Sequence, residues 1–259
     1  MLSKFRAAGL VSPTLFALAA LAMLLALGTW QMSRKAWKDG LQRQIDARAK
    51  AAVMPLGGHV GLIKDPEYLR VKVKGRFLIG QERHLYWLSG GQAGWLVVTP
   101  MVTADEMVVL VNRGWVPDAL KDSARRREDR IAGVVEVTGL LRMPEQPSRF
   151  TPANGPEKNI WYWRDVPEMM KCRHSIRETP DCQALAGPPG LAGLPFTYPF
   201  SVDAEAEPAN PGGWPRGGTT NLKLPNKHLE YAVTWYGLAL TLIGVFAAFA
   251  LGRLRGLRA

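Results

Sequence analysis

Two uncharged apolar runs, one near each end, constrain this 259-residue chain more than anything between them. No Asp, Glu, Lys or Arg interrupts Thr14 to Met32 or Tyr231 to Gly252. A helix needs about 20 such residues to cross a hydrocarbon core, so each run predicts a membrane span. Ser12-Pro13 is a suitable start for the first, with a hydroxyl cap and a proline in the first turn. Lys4 and Arg6 precede it, and Ala26-Leu27-Gly28 has the small residues of a cleavage site, so a removable signal peptide is the alternative. A retained anchor is favoured because the run continues through Trp30 and Gln31, and a helical pattern persists from Arg34 to Ala52 with only Gly40 against it. Trp30, Trp37, Leu41 and Ile45 share roughly one face of that continuation. The expectation is a membrane helix whose end projects into water and packs on the intervening domain.

Two spans put both termini on one side and everything between them on the other. The expected division is a cytoplasmic N-terminus at 1–12, a first span at 13–33, a periplasmic β-rich domain with a helical extension at 34–225, a second span with its interfacial start at 226–252, and a cytoplasmic basic tail at 253–259. Arg253, Arg255 and Arg258 suit the cytoplasmic side, whereas Arg34, Lys35 and Lys38 oppose it. The intervening segment is far longer than the loops to which the positive-inside rule applies. The net charge of +11 raises the question of a nucleic-acid partner. Basic residues that flank apolar ends or alternate along a strand, with no helix-turn-helix, zinc-finger or RNA-binding signature, point to lipid headgroups and not to nucleic acid.

The middle of the chain reads as strand after strand. Leu69 to Ile79 alternates apolar and basic residues, the period of a strand with one face in a core. His84 to Leu88, Gly94 to Val102, Met107 to Trp115, Val134 to Arg142, Ile160 to Trp163 and Phe196 to Val202 follow, the second and third of these as a hairpin. Helix is expected only at Asp118 to Arg130 and Val166 to Lys171. The fold class is therefore a membrane α+β protein, two terminal transmembrane helices enclosing a mostly antiparallel β domain, either barrel or sandwich. The stretch 171–193, with Cys172, Cys182 and many prolines and glycines, reads as a loop, its cysteines either a disulfide or two free thiols. Two cysteines are too few for a disulfide scaffold or a closed cysteine-rich zinc site.

His228 stands three residues before the second apolar run. In a helix beginning near Pro225, His228, Tyr231, Ala232 and Trp235 share one face. That face is either a docking surface or the ordinary aromatic belt of a membrane helix. Ala19, Ala22 and Ala26 on one span, and Gly237, Gly244 and Ala248 on the other, offer a route to close helix packing. His59, His84 and His174 have no partner at metal-ligand spacing, and Met143, Met169 and Met170 read as core.

Four stretches resemble the surfeit locus protein 1 family of cytochrome oxidase assembly factors: Leu27-Gly28-Thr29-Trp30-Gln31, Val111-Asn112-Arg113-Gly114-Trp115-Val116-Pro117, Asn159-Ile160-Trp161-Tyr162-Trp163-Arg164-Asp165, and His228 to Trp235. Their order and spacing agree with that family, and the similarity covers nearly the whole chain apart from 171–193. The resemblance implies a non-enzymatic membrane protein, in a bacterial member with its domain in the periplasm of the inner membrane, that delivers haem a to the catalytic subunit of a haem-copper oxidase. It implies haem a as transient cargo and His228 as the ligand of its iron; Tyr231 and Trp235, on the same helix face, are the expected flanking contacts. Haem a synthase is a second expected partner beside the lipid bilayer. An imidazole just above the bilayer suits a haem whose isoprenoid tail stays in lipid while its propionates seek water or cations. Arg113 is either a propionate contact or, as favoured here, internally paired, with Trp115 in the core. Competing functions are a scaffold that holds an oxidase subunit without touching haem, a copper-delivery factor, for which Cys172, Cys182 and His174 are poorly spaced, and a periplasmic hydrolase, for which no nucleophile elbow or metal-binding helix is present.

Overall fold

In a computed structural model, residues 6, 8–57, 60, 63–171 and 197–256 are described. The expected loop at 171–193 lies outside them from Cys172 onwards, with its cysteines and His174, as does His59. The chain divides into two compact units, 1–45 with 222–259 and 46–221.

The 46–221 unit is a closed sheet. Its strands are β1 (Met54–Pro55), β2 (Arg70–Phe77), β3 (Arg83–Ser89), β4 (Gln92–Thr103), β5 (Val108–Pro117), β6 (Val134–Arg142) and β7 (Thr197–Ala204), in the order β1-β2-β6-β7-β5-β4-β3. A further pairing of β2 with β4, Gly75 to Phe77 against Thr103 to Met101, closes β2, β6, β7, β5 and β4 into a ring. Of the two architectures left open by the sequence, the barrel is the one formed. β4 is long enough to serve twice: its C-terminal end closes the ring while its N-terminal half pairs with β3. The pairings are antiparallel except β1 with β2 and β5 with β7.

The alternation in β2 is realised as read: Val71, Val73 and Phe77 are buried while Lys72, Lys74 and Arg76 are exposed. With Met101, Val109, Val111, Leu141, Phe200 and Val202 they fill the barrel interior. β5 behaves differently, because Val108, Leu110 and Trp115 pack outside the ring against Leu85, Leu96, Trp161, Val166, Met169 and Met170. A strand buried on both faces loses the period-2 signal and becomes a continuous apolar run. The outer cluster is covered by a short helix, α2 (Val166–Met170), capped at its start by the Asp165 carboxylate, which accepts from the Glu168 N–H at 3.2 Å. Arg83, itself buried, donates to the carbonyls of Met169 at 3.0 Å and Lys171 at 2.6 Å, groups that a helix end otherwise leaves unsatisfied.

Two expectations are corrected. Asp118 to Arg130 is not a helix but three separate 3-10 turns, at Asp118–Leu120, Ser123–Arg125 and Arg127–Asp129. The chain breaks where the Asp122 side chain accepts from the Ala124 N–H, and where Arg126 and Asp129 turn into the core. Ile160 to Trp163 is not a strand; it makes only isolated bridges, Leu85 with Trp161 and Gly155 with Ile160.

The other unit holds two long helices, α1 (Val11–Ala49) and α3 (His228–Gly256), both long and apolar enough to cross a membrane. α1 runs unbroken through Gly40, as the pattern predicted. Along its expected stripe, however, Trp30 and Trp37 are more than half exposed and only Ile45 is buried.

Candidate functional site

The antiparallel contact of α1 and α3 follows a heptad-like seam. Gly28 and Gln31 are buried on α1, and Ala232 and Ala239 on α3. The small residues that allow the approach differ from those expected. A Cβ on Gly28 would lie 2.7 Å from the Tyr236 ring, so only glycine fits there, whereas Gly237 and Gly244 have nothing within 4 Å and Ala19, Ala22 and Ala26 are exposed. Composition alone could not reveal this, because every third or fourth position of an apolar helix offers an equivalent stripe. Thr29 Oγ1 and the Tyr236 hydroxyl, 3.2 Å apart, add a polar contact beside the glycine.

Above the seam, residues 222–226 lie along the water-exposed turns of α1 and are fastened by side chain to main chain. Gln42 donates to the Leu222 carbonyl at 2.8 Å and accepts from the Leu224 N–H at 2.9 Å. Lys38 donates to the Pro225 carbonyl at 2.7 Å, and the Asn226 amide donates to Asp39 at 2.9 Å. Asn226 in turn accepts from the backbone N–H of His228 at 3.4 Å, the first residue of α3. Lys38 and Gln42 stand one turn apart on α1, so successive residues of the strap meet successive turns of the helix.

His228 is thereby delivered to the seam, where its Nδ1 lies 2.7 Å from Gln31 Oε1. Its Nε2 has no hydrogen-bond partner among the described residues. Trp235 is on the same seam, seven residues or about 10 Å further along the helix, and its indole N–H is buried without an acceptor among the described residues. Tyr231 differs from these two: it is 54 % exposed. Of the three residues singled out from the sequence, His228 and Trp235 are part-buried along α3, two turns apart, and Tyr231 is exposed. The donor set suits a haem: one imidazole with a free nitrogen, and one buried indole N–H that lacks a protein acceptor. Among the described residues no cluster of three His, Cys, Asp or Glu could hold a bare metal ion.

The two motif stretches of the 46–221 unit are used internally, as favoured for Arg113 and Trp115. They meet at two buried carboxylates that sequence reading did not single out. Around Glu82, Arg113 Nη1 lies 3.5 Å from Oε1, Arg126 donates to Oε2 at 2.9 Å, and Asn159 donates to the backbone carbonyl at 2.9 Å. Arg126 also pairs with Asp129, whose backbone carbonyl accepts from Arg113 at 2.6 Å. Trp161 donates its indole N–H to Asn159 at 3.1 Å. Around Asp203, Asn112 donates at 3.0 Å, Arg164 at 3.2 Å and Thr220 at 2.7 Å. Gly114, at φ +130°, has Arg216 and Gly217 backbone where a side chain would stand, so it is glycine for both conformation and room. Burial alone would raise the Glu82 carboxyl, but His84, Arg126 and Arg113 outweigh it and hold it below the usual range. Burial pushes Asp129 up and Arg113 down. His84, read as an ordinary strand residue, has a side chain only 12 % exposed, lines a cleft of about 580 Å³ with Lys121, Arg125 and Lys158, and is held below its ordinary value by burial. One signal was available in the sequence: Asp203 is an acid inside an apolar strand, a position that demands paired cations or donors.

Two terminal helices long and apolar enough to cross a membrane, flanking in sequence a closed barrel, define a membrane-anchored β-barrel protein. A sequence profile of the SURF1 family matches residues 18–240, from within α1 to within α3. The chain belongs to that family. It is 36 % identical over 249 residues to a SURF1-like protein of Monosiga brevicollis, covering 90 % of this chain and 86 % of that one. It is 33 % identical to surfeit locus protein 1 of Rattus norvegicus over 228 residues and of Homo sapiens over 232, in each case across 82 % of this chain and 67 % and 69 % of the relative.

Proposed function

We propose that this protein is an assembly factor for a haem-copper oxidase that binds haem a transiently at His228 and aids its insertion into the catalytic subunit. It does so without catalysing a reaction, and it acts in a bacterial inner membrane with residues 46–221 on the periplasmic side. The observation that carries the reading is the His228 imidazole at the head of α3, engaged through Nδ1 and, among the described residues, unpartnered at Nε2. When bound, haem supplies an iron that accepts an imidazole nitrogen and a macrocycle that needs apolar cover. His228 would hold the iron, and Trp235 would offer apolar surface and an N–H donor. A single strong ligand suits release rather than storage. Haem a synthase is the natural source of the cargo and a second partner.

The test is the absorption spectrum of the full chain purified in detergent after co-expression with haem a synthesis, for the wild type and His228→Ala. Haem in the wild type, lost in a folded His228→Ala, supports the reading. If neither preparation takes up haem, the protein acts as a scaffold that holds an oxidase subunit during assembly. A spectrum with two strong protein ligands and very slow haem loss contradicts transient carriage.

A further inference from the structure

We infer that Gln31 is the positioning residue of the His228 site: it takes the Nδ1 proton as a hydrogen bond and leaves Nε2 as the bare nitrogen for iron. This rests on the haem reading above and adds to it a residue from the other span.

A neutral imidazole carries one proton on two nitrogens, and the hydrogen bond at one nitrogen decides which face is left basic. Gln31 presents its carbonyl oxygen, an acceptor only, at 2.7 Å from Nδ1, so Nδ1 is the donor. In the neutral ring Nε2 is then the nitrogen without a proton, and no described group competes for it. The opposite tautomer would put a proton on the nitrogen that must meet the iron. Gln31 is itself buried at the last turn of an uncharged run, where an unpaired amide is costly. Among the described residues, His228 is the one hydrogen-bond partner of its side chain.

The surroundings fix the pair. The strap at 222–226 is tied to Lys38, Asp39 and Gln42, and the Gly28–Tyr236 approach sets the spacing of the helices one turn below Gln31. The imidazole is held at its backbone by the strap and at its ring by Gln31. A ring held at both points keeps its orientation before cargo arrives, the role that a hydrogen-bond partner of a ligating histidine commonly fills.

Two measurements on the full chain in detergent test this separately from the haem reading. The first needs no haem. In protein labelled with 15N-histidine, the His228 signals are expected to show a protonated Nδ1 and an unprotonated Nε2, shifting towards a mixture of tautomers in Gln31→Leu. A protonated Nε2 in the wild type overturns the inference. The second titrates ferrous haem b, then haem a, into wild type, Gln31→Leu, Gln31→Glu and His228→Ala. Gln31→Leu is expected to bind about 10–100-fold more weakly. Gln31→Glu, a stronger acceptor, is expected to retain binding, with a lower midpoint potential and a raised iron–imidazole stretching frequency. Its retention of binding also shows that loss in Gln31→Leu is not misfolding. Equal affinity, potential and stretch in wild type and both Gln31 variants, with haem lost in His228→Ala, overturns the role of Gln31 and leaves the haem reading standing. Binding that survives His228→Ala overturns both.

Discussion

Arg113 gives up its hydration on folding and receives Glu82 and the Asp129 carbonyl in return. Because its side chain is 1 % exposed, the balance of two guanidinium groups, Arg113 and Arg126, against two carboxylates, Glu82 and Asp129, matters more than any single pair. Arg113→Met leaves an unbalanced buried carboxylate, and breaking such a pair costs about 3–5 kcal/mol. Arg113→Met combined with Glu82→Gln restores neutrality and should recover part of that loss. Thermal melts of the full chain would read both, and a single variant within about 1 kcal/mol of the wild type would refute the charge-balance account. His84 gives a pH dependence beside this cluster. Burial lowers its folded-state value below the ordinary 6.5; Glu82 opposes this, while Lys121 and Arg126 reinforce it. The unfolded chain therefore binds the His84 proton at higher pH than the folded chain does. The contribution is fully present above about pH 6.5 and is lost as pH falls towards the folded value. His84→Gln should flatten that part of the stability profile relative to the wild type, and an unchanged slope would remove His84 as its source.

At the scale of elements, β2 was legible because one of its faces meets water, and the alternation survives in the sequence. β5, with both faces buried, was legible as an apolar run bounded by turns. The turns at 118–129 were not, since Arg126 reaches Glu82, 44 positions away, and the Asp129 carbonyl meets Arg113. The His228 site was half legible for the same reason. An imidazole at the head of an apolar helix can be read locally, but Gln31 lies 197 positions away and only the fold makes them neighbours. The choice of small residues in the helix seam gives a direct test. Gly28→Leu drives a side chain into the Tyr236 ring and should cost about 1–3 kcal/mol as overpacking. Ala22→Leu and Gly244→Leu, which have room, should stay within about 0.5 kcal/mol. Equal losses in all three would mean that the helices do not meet at Gly28. In the strap, Gln42→Ala removes two hydrogen bonds, worth about 0.5–1.5 kcal/mol each. Its expected signature is faster amide exchange at Leu224, with the exchange of the barrel strands unchanged.

For the whole molecule, charge is divided unevenly between the two units. Outside residues 46–221 the sequence has eleven Lys and Arg but only Asp39 and Glu230 as acids, so most of the net +11 lies near the ends of the spans. Basic residues in that position are drawn to anionic headgroups, each with about 1 kcal/mol of attraction close to the surface. They occur at both ends of each span, Arg34, Lys35 and Lys38 with Lys223 and Lys227 at one, Arg253, Arg255 and Arg258 with Lys4 and Arg6 at the other. Their number alone therefore does not set the orientation, whereas two crossings would put both termini on one side. If both helices cross, cysteines introduced at Ser3 and at Gly256 react with an impermeant maleimide from one side of sealed vesicles, and one introduced at the exposed Leu88 reacts only from the other. In cells, Leu88→Cys should be labelled from the periplasmic side. Labelling of Ser3→Cys and Leu88→Cys from the same side would mean that α1 does not span, and His228 would then lack the partner span that brings Gln31 to it.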